Sequence, residues 1–377
     1  MCINHFQSQY TVNSLEFYFR GRVALFALLN GLNIGKGDEV ALQAFTCVAN
    51  PEAVKASGAV PVYVDIEPDG VNMDYRDLEQ KITSKTRAII LQHTFGIPAK
   101  TDALLNIAAK KNIPVIEDCC HTLTSQYQKK KVGTFGVGCY YSFEWGKPLV
   151  AGIGGALTIH DALLEKKVKE QYAAYKTPRI GRDIRIFIQY FAHKLLYRPR
   201  LFWPVRSLFH MLDKLGAAES NYNPITAEGI ASDFSLRMSL FSRNRLKKKY
   251  PLVQTITEHS KSVCSRYASE INSPAVSHIS IPEKSVPVYC RYPLLAQNKK
   301  ELLKQAKKQN IEIAEWYATP IHPLKGEELT LVDYREGSCP NAEERCAQII
   351  TLPTHSAVSR HDVDRIIKFF NNTNFTD

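Results

Sequence analysis

Short runs of β-branched and aromatic residues alternate with helix-like runs between about residues 35 and 160. Runs of this kind, rich in Val, Ile and Tyr, are typical of strands. Six strands are predicted here: DEVALQ (38–43), AVPVYVDI (59–66), RAIILQHT (87–94), IPVIED (113–118), GCYYSF (138–143) and GALTIH (155–160). Helices are predicted at 50–57, 74–82 and 101–111. The alternation predicts an α/β domain with a mostly parallel sheet, in which ligands bind beyond the carboxyl ends of the strands.

The pattern changes after residue 160. Residues 184–212, IRIFIQYFAHKLLYRPRLFWPVRSLFHML, mix apolar and aromatic side chains with Arg and Lys, and we call this segment the basic aromatic insert. Pro199 and Pro204 are expected to break it into two short helices. A long basic helix is predicted at 241–270, and a second α/β pattern begins near 286. We therefore expect a large domain over 1–245 and a smaller C-terminal α/β domain over 246–377.

The net charge of +11 suits an anionic small molecule, nucleic acid or an anionic membrane surface, and equally a merely basic surface. The chain lacks a helix-turn-helix, RNA-binding or zinc signature, which argues against a nucleic-acid partner. No run of about 18 uncharged apolar residues predicts a transmembrane helix, and the first residues do not read as a secretory signal. The nine cysteines show no metal-binding spacing, so no metal site is predicted and a reducing cytoplasm is expected.

Two predicted strands end in side chains suited to catalysis. Asp118 ends the strand IPVIED, and a buried carboxylate needs a cationic partner, such as a protonated pyridine nitrogen. It could instead cap a following helix. Ser142 lies near the end of GCYYSF, and Lys147 follows five residues later, before a run that contains Gly152, Gly154 and Gly155. A strand-end pocket can lower the pKa of a lysine so that its neutral amine attacks a carbonyl, although a lysine in a surface turn has the same local sequence.

Two further segments offer sites for a cofactor. Gly21 precedes the helix-like run VALFALL, so backbone N–H groups and the helix dipole could bind an anion there, and Arg22 could add a charged contact. A plain helix start has the same sequence. Phe45, Thr46 and Cys47 follow the strand DEVALQ, where an aromatic ring could cover one face of a cofactor or simply pack in the core.

These segments, in this order, resemble the DegT-type sugar aminotransferases, a family with the aspartate aminotransferase fold (fold type I). The resemblance is carried by GKGDEV, GAVPVYVDI, LQHTFGIPAKTD, IEDCCHT and SFEWGKPLVAGIGG, and later by RYPLLAQ, TPIHPL and CPNAEERCAQIITLPTH. It covers most of the chain except roughly 165–230. It implies an enzyme that uses pyridoxal 5′-phosphate (PLP) and transfers an amino group from an amino acid, glutamate in the family, to a keto sugar that is usually linked to a nucleotide. It also implies a homodimer.

The resemblance assigns catalytic roles to three residues. Lys147 would be the lysine that forms the Schiff base with the cofactor and shuttles a proton. Asp118 would pair with the pyridine nitrogen, and His121 would lie near the ring hydroxyl. Relatives that act as sugar dehydratases have histidine in place of this lysine, so Lys147 favours transamination.

The resemblance also assigns residues to cofactor binding. Ser142 would bind the phosphate together with backbone groups of Gly21 and Arg22. His93 would lie near the active site, and Arg237 would reach the phosphate bound by a partner subunit.

Three features depart from the family. Cys47 stands where many members carry the aromatic residue that stacks on the cofactor ring, and neighbouring Phe45 could take that role. About 20 residues precede the turn at Gly21, fewer than in relatives. The basic aromatic insert is atypical: it could lie on an anionic membrane surface, which would put a cytoplasmic protein at the inner face of a membrane, or pack on the large domain or a dimer interface. These features leave open a second hypothesis, a regulatory or membrane-associated protein that keeps the fold without turnover.

Overall fold

The structure is a computed structural model that describes residues 15–214 and 231–372. Its α-helices are α1 (Gly21–Gly31), α2 (Ala49–Ala56), α3 (Tyr75–Lys81), α4 (Thr101–Lys110), α5 (Ala162–Tyr172), α6 (Ile180–Leu196), α7 (Phe202–Lys214), α8 (Leu240–Lys249), α9 (Val253–Glu270), α10 (Lys299–Lys308), α11 (Pro340–Gln348) and α12 (Arg360–Asn372). Its longer strands are β1 (Leu15–Tyr18), β2 (Glu39–Gln43), β4 (Val60–Val64), β5 (Thr86–Gln92), β6 (Val115–Asp118), β9 (Gly138–Ser142), β10 (Gly155–Ile159), β13 (Arg291–Ala296) and β15 (Ile349–Pro353). The short strands are β3 (Thr46–Cys47), β7 (Gln126–Tyr127), β8 (Lys130–Lys131), β11 (Val276–His278), β12 (Ser285–Val286) and β14 (Ile321–His322).

A seven-stranded sheet in the order β1-β10-β9-β6-β5-β2-β4 forms the centre of the molecule. The five strands from β9 to β4 are parallel, and β10 and β1 add an antiparallel edge. All six predicted strands and the three predicted helices are present, so the predicted α/β fold with a mostly parallel sheet is confirmed. Nearly every residue of β5 and β6 is buried, so side chains on both faces of the sheet are covered. Such burial is typical of parallel sheets with helices on both faces.

Helix α1 lies inside the protein, and nine of its eleven residues are buried. Its Val23, Leu25, Leu28 and Leu29 belong to the largest apolar cluster, which also contains residues of β2, β9 and β10. Full burial of each such side chain contributes about 1.5–3 kcal/mol. The first turn of α1 is therefore held rigidly beside the carboxyl ends of the central strands.

A three-stranded antiparallel sheet, β11-β13-β15, lies in the C-terminal part. Residues of α9, α10 and α12 pack with it in a separate apolar cluster, as expected for a second, smaller α/β unit. The stretch 311–317 forms no strand and makes a single bridge, between Ala314 and Thr351. Strand β14 pairs in parallel with β3 and thereby joins this part of the chain to the loop after β2. The domain boundary at residue 245 remains a prediction.

The region around the basic aromatic insert differs from the expectation in two ways. Pro199 separates α6 from α7, so the expected division into two helices is present, but Pro204 does not break α7 because it lies in the first turn, where no helical N–H bond is needed. The single helix predicted at 241–270 is wrong, since a 3₁₀ turn at Tyr250–Leu252, which contains Pro251, separates α8 from α9. Among the described residues, no helix is long and apolar enough to cross a membrane.

The insert packs against the rest of the protein through only part of its surface. Phe202 is buried, and the indole N–H of Trp203 donates to the carbonyl of Ile311 at 2.8 Å. Helix α6, by contrast, buries Ile186 and Tyr190 on one side and exposes a row of large apolar side chains on the other. Internal packing thus accounts for the start of α7 but not for the outer face of α6.

A buried ion network, formed by Arg20, Arg22, Asp233, Glu52 and Glu144, ties distant parts of the chain together. Asp233 Oδ2 lies 3.1 Å from Arg20 Nε and 2.7 Å from Arg22 Nη2. Arg20 Nη1 also contacts Glu144 at 2.9 Å, and Arg22 Nη1 contacts Glu52 at 3.2 Å. Burial raises the pKa of Glu52 to about 7, even though Arg22 opposes this. The positive charges of the two guanidinium groups are therefore nearly balanced by the carboxylates of Asp233 and Glu144 at neutral pH.

We expect Asp233→Asn to destabilise the protein by about 3–5 kcal/mol, because it leaves two buried guanidinium groups short of a counter-charge. Asp333→Asn is the matched control. It alters the exposed ion pair between Asp333 and Lys55 (2.6 Å) and should change the free energy of unfolding by about 1 kcal/mol or less. Urea denaturation of both variants measures the difference, and equal effects of the two substitutions would contradict the role given to the network.

Candidate active site

Three segments singled out in the sequence meet at the carboxyl ends of the central strands. Asp118 is the last residue of β6, Ser142 is the last residue of neighbouring β9, and Gly21 is the first residue of α1. A Cβ atom at Gly21 would lie 3.3 Å from Ser142 Cβ. No side chain caps the first turn of α1, so its backbone N–H groups have no side-chain acceptor.

Neutral hydrogen-bond donors orient the carboxylate of Asp118, which is buried. Its Oδ2 accepts from the side-chain amide of Asn50 at 2.9 Å, and its Oδ1 accepts from the backbone N–H of Cys120 at 2.9 Å. Asn50 is positioned in turn by the hydroxyl of Tyr140, which donates to Asn50 Oδ1 at 2.8 Å. These donors orient the charge of Asp118 without neutralising it. No α-helix begins directly after Asp118, so the alternative role as a helix cap is wrong.

Lys147 lies on a closed loop between β9 and β10. The N–H of Phe143 donates to the carbonyl of Gly154 at 2.8 Å, which ties the two ends of the loop together. Gly146 has a φ of +75° and lies against the ring of Trp316, a combination that favours glycine. The Nζ atom of Lys147 lies 5.0 Å from the centre of the Trp316 ring. The loop therefore presents the amine inside the site and not in a surface turn.

The pKa of Lys147 is not lowered, contrary to the expectation for a lysine in a strand-end pocket. Burial disfavours the charged amine, but Cys120, Cys47 and Asp118 outweigh it, and the pKa of Lys147 is raised above its usual value. Burial also raises the pKa of the Cys47 and Cys120 thiols, so both are neutral near pH 7 and Asp118 is the anion that holds the charge on the lysine. A cation bound to Asp118 would weaken that attraction and favour the neutral amine.

His121 is held in one tautomer by its neighbours. Its Nδ1 accepts the backbone N–H of Phe95 at 3.0 Å, so the proton resides on Nε2, which lies 3.3 Å from the hydroxyl of Tyr317. Burial, with a contribution from Lys147, lowers the pKa of His121 well below its usual value. The ring of Trp316 lies 5.1 Å from that of His121. His121 is thus a neutral donor at the edge of the site.

The loop after β2 places its three predicted residues in different surroundings. Phe45 is fully buried and makes edge contacts with the rings of Tyr317 (5.4 Å) and Phe95 (6.0 Å). This favours the core-packing alternative for Phe45. Thr46 donates to the side-chain carbonyl of Gln92 at 2.5 Å, within the polar network around Asn50. Cys47 is half-buried and influences the charge on Lys147, so it faces the site.

The two predicted arginines lie outside the cluster. The guanidinium of Arg22 is engaged by Asp233 and Glu52, so the expected charged contact to an anion is not available from it. Arg237 donates to the backbone carbonyl of Tyr172 at 2.9 Å. Its guanidinium group also lies over the phenol ring of Tyr172, with 4.5 Å between Cζ and the ring centre. Its contact with a partner's phosphate remains a prediction.

His93 also stays apart from the cluster. Its Nε2 lies 3.2 Å from Glu117 Oε2, on the face of β6 opposite to Asp118, because successive side chains of a strand alternate. Ligand-type atoms of His93, Glu117 and Cys119 lie within 4.8 Å of one another. Glu117, however, already accepts backbone N–H groups of Gly133, Phe135 and Gly136. This group is satisfied internally, and the absence of a metal site remains a prediction.

Close packing explains the glycines of the run after Lys147. A Cβ atom at Gly155 would lie 2.3 Å from the carbonyl oxygen of Arg20 and 2.6 Å from the nitrogen of Gly21. At Gly154 it would meet Met238, and at Gly152 it would meet α6. Gly155 therefore lets β10 approach the start of α1 closely, whereas Gly154 and Gly152 leave room for Met238 and α6.

Sequence reasoning missed several residues of the site. Asn50, Gln92 and Tyr140 orient Asp118 and Thr46, and Trp316 and Tyr317 supply aromatic rings from a part of the chain about 170 residues beyond Lys147. Asn50 lies in the segment QAFTCVAN, where a polar residue after a strand was a usable signal. Nothing in the run IEIAEWY signalled that its two aromatic residues would lie beside Lys147.

The fold and the site define a class of proteins. The fold is that of the fold type I aminotransferases: the crystal structure of DesV from S. venezuelae, in complex with a ketimine intermediate, aligns with a TM-score of 0.76 at 22% identity, over 97% of this chain and 86% of that one. The chain belongs to the DegT/DnrJ/EryC1/StrS aminotransferase family, whose profile matches residues 20–371.

Two curated relatives illustrate the range of similarity. GDP-perosamine synthase of Escherichia coli O157:H7 is 38% identical over 161 residues, which is 43% of each chain. The dTDP-3-amino-3,6-dideoxy-alpha-D-galactopyranose transaminase of Aneurinibacillus thermoaerophilus is 26% identical over 352 residues, 93% of this chain and 83% of the relative. The stronger similarity therefore spans less than half of the first relative, and the weaker one spans most of the second.

We expect Gly155→Ala to destabilise the protein and to weaken binding of PLP, because the added methyl group would push β10 away from the Gly21 turn. Gly181→Ala is the matched control, since no atom lies within 4 Å of its added Cβ and alanine favours a helix by about 0.5–1 kcal/mol. Melting temperature and cofactor affinity check both variants. A Gly155→Ala protein with unchanged affinity and stability would refute the close contact.

Proposed function

We propose that this chain is a PLP-dependent aminotransferase that transfers an amino group from an amino acid, with glutamate as the expected donor, to a keto sugar linked to a nucleotide. The single observation that carries the proposal is the convergence of Lys147, Asp118 and the start of α1 at the carboxyl ends of β6 and β9. The names of the relatives support the substrate class, because one is a synthase of a GDP-linked sugar and the other a dTDP-sugar transaminase.

The residues present fit this cofactor by their chemistry. Ser142 and the uncapped first turn of α1 suit a phosphate group. The oriented charge of Asp118 suits a protonated pyridine nitrogen. The amine of Lys147 suits a covalent bond to an aldehyde carbon. When bound, PLP supplies an electron-withdrawing ring that stabilises negative charge at the carbon bearing the amino group.

Each residue of the chain has a separate task in this proposal. Lys147 would form the covalent bond to the cofactor and, once released, would accept and donate a proton at its Nζ atom. Asp118 raises the pKa of this amine, and a cation bound to Asp118 would favour the neutral amine that the bond requires. Asp118 would hold a proton on the pyridine nitrogen. His121 donates from Nε2, since its Nδ1 is already an acceptor for Phe95. The ring of Trp316, in contact with Lys147 and His121, offers the aromatic surface that Cys47 lacks.

The alternative hypothesis, a regulatory protein that keeps the fold without turnover, makes a different prediction. Such a protein would bind PLP without converting any amino donor. Absorbance spectra recorded after addition of glutamate separate the two hypotheses, because turnover changes the state of the cofactor and binding alone does not.

We expect reduction of the purified protein with borohydride to link PLP irreversibly to Lys147, because a Schiff base between an amine and an aldehyde is reducible. Lys147→Ala should lose this link and the transfer activity while still binding PLP reversibly through Ser142, α1 and Asp118. Lys166→Ala, which changes an exposed lysine of α5, is the control and should behave as the unaltered protein. Peptide mapping by mass spectrometry identifies the modified lysine, and modification of a different lysine would overturn the assignment.

We also propose a peripheral membrane contact through the outer face of α6. Six large apolar side chains on this helix are 40–80% exposed: Ile180, Ile184, Phe187, Ile188, Phe191 and Leu195. Their spacing places them in one stripe of a helix with 3.6 residues per turn. Such a stripe on a basic protein suits insertion at the headgroup level of an anionic bilayer. Exposed Arg179, Arg185 and Arg198 supply basic charge near it.

A second copy of the chain is the other candidate for covering this stripe. The resemblance to fold type I enzymes supports a homodimer, with Arg237 as a candidate contact. A second subunit could also add a cation near Ser142, since the guanidinium groups of Arg20 and Arg22 are engaged by carboxylates. Sedimentation therefore has to accompany any test of membrane binding.

We expect the protein to float with vesicles that contain anionic lipid and to lose this binding at high salt, because surface attraction is screened. The variant Ile184→Ser, Ile188→Ser and Leu195→Ser should no longer float and should keep its melting temperature, since these side chains are exposed. Phe202→Ser is the contrasting variant and should lower the melting temperature. If the triple variant instead sediments as a monomer while the unaltered protein is a dimer, the stripe is a subunit interface and the membrane proposal fails.

A further inference from the structure

A cavity of about 170 Å³ lies between the Lys147 loop, helix α6 and the C-terminal sheet. Its walls include Lys147 and Pro148 from the loop, Tyr190 and His193 from the inner face of α6, and Arg291 from the start of β13. Pockets that hold a whole drug-sized ligand measure roughly 300–1,000 Å³. This cavity is smaller, so it suits one group of a larger substrate that reaches Lys147.

The charged side chains that line this cavity are cationic. Four cationic side chains line it, those of Lys147, Lys194, Lys249 and Arg291, and within the described part of the chain no carboxylate side chain does. His193 stacks on Tyr197 with 4.6 Å between ring centres, and burial, with help from His355 and Lys249, lowers the pKa of His193 to about 4. The imidazole is therefore neutral at pH 7, and the lysines and the arginine carry the charge.

One of these cations, Arg291, pairs with a carboxylate that does not line the cavity. Arg291 Nη1 lies 2.9 Å from Glu312, and His355 Nε2 lies 3.3 Å from the same carboxylate. Burial opposes ionisation of Glu312, but His355 and Arg291 prevail and lower its pKa to about 2. Arg291 is thus neutralised, and it positions the wall of the cavity.

Lys194 and Lys249 have no such partner. No carboxylate within the described residues lies within 4.0 Å of either amine, and Lys249 Nζ lies 5.2 Å from the centre of the Tyr190 ring. Lys194 is exposed and Lys249 is half-buried, so they reach the cavity from its solvent side. Lys194 belongs to the basic aromatic insert.

We propose that Lys194 and Lys249 bind the phosphate groups of the substrate, the diphosphate that joins nucleotide and keto sugar, and so select a nucleotide-linked sugar over a free one. The inference rests on the proposed function for the position of the sugar beside Lys147. Hydrogen bonds from a charged amine to phosphate are among the stronger ones. The cavity lies on the inner side of α6, away from the exposed stripe.

The test is a titration of the PLP-loaded protein with inorganic pyrophosphate at low salt, followed by tryptophan fluorescence. The ring of Trp145 lies 4.8 Å from that of His193 and can report binding in the cavity. Loading with PLP keeps the added anion out of the cofactor's own phosphate site. We expect Lys194→Gln and Lys249→Gln each to weaken binding about tenfold, and together by more, because each removes a charged hydrogen bond.

Lys248→Gln is the matched control, because Lys248 is exposed, precedes Lys249 on α8 and does not line the cavity. It should leave the affinity for pyrophosphate unchanged. The proposal is overturned if the double variant binds pyrophosphate as tightly as the unaltered protein, or if Lys248→Gln weakens binding equally, which would indicate a general charge effect. Lys194 is exposed, so Lys194→Gln keeps the test informative even if Lys249→Gln fails to fold.

A separate measurement tests the proposed function itself. The unaltered PLP-loaded protein is mixed with glutamate, and the change in cofactor absorbance is recorded. No change would contradict the aminotransferase proposal, whereas the pyrophosphate titration does not depend on that reaction. The two proposals can therefore fail independently.

Discussion

The buried ion network around Asp233 is the constraint on which the rest of the site depends. Two guanidinium groups from the start of α1 cannot be buried without carboxylates, and those carboxylates come from three other parts of the chain. Through Glu144 the network holds the loop that carries Lys147, and through Glu52 it holds helix α2, which carries Asn50. The same contacts that balance charge therefore set the position of the lysine relative to Asp118.

The basic aromatic insert combines two surfaces on one helix. The inner face of α6 contributes Tyr190 and His193 to the cavity beside Lys147, whereas the outer face exposes apolar side chains such as Ile184 and Leu195. A helix anchored by its inner face can present the outer face to a bilayer or a second subunit without disturbing the site. In these two proposals, the insert brings the enzyme to a surface and also shapes its substrate pocket.

In the loop after β2, tertiary packing decides which side chains face the site and which lie in the core. Phe45 and Cys47 lie two positions apart, yet Phe45 is enclosed by Phe95 and Tyr317 while Cys47 faces Lys147. An aromatic ring near the lysine comes instead from Trp316, because the parallel pairing of β3 with β14 brings that part of the chain to the site. Similarly, His93 pairs with Glu117 because neighbouring residues of a strand point to opposite faces.

The sequence by itself determined the strand and helix alternation, the central sheet and the placement of Asp118 and Ser142 at one edge of it. These follow from local periodicity and from the rule that parallel strands share their carboxyl ends, so no long-range information was needed. Only the tertiary structure decided which charges are neutralised, as Arg22 and Arg291 are while Lys194 and Lys249 are not. That distinction depends on distances between side chains far apart in the chain, and electrostatic energy in a protein interior changes steeply with distance and burial.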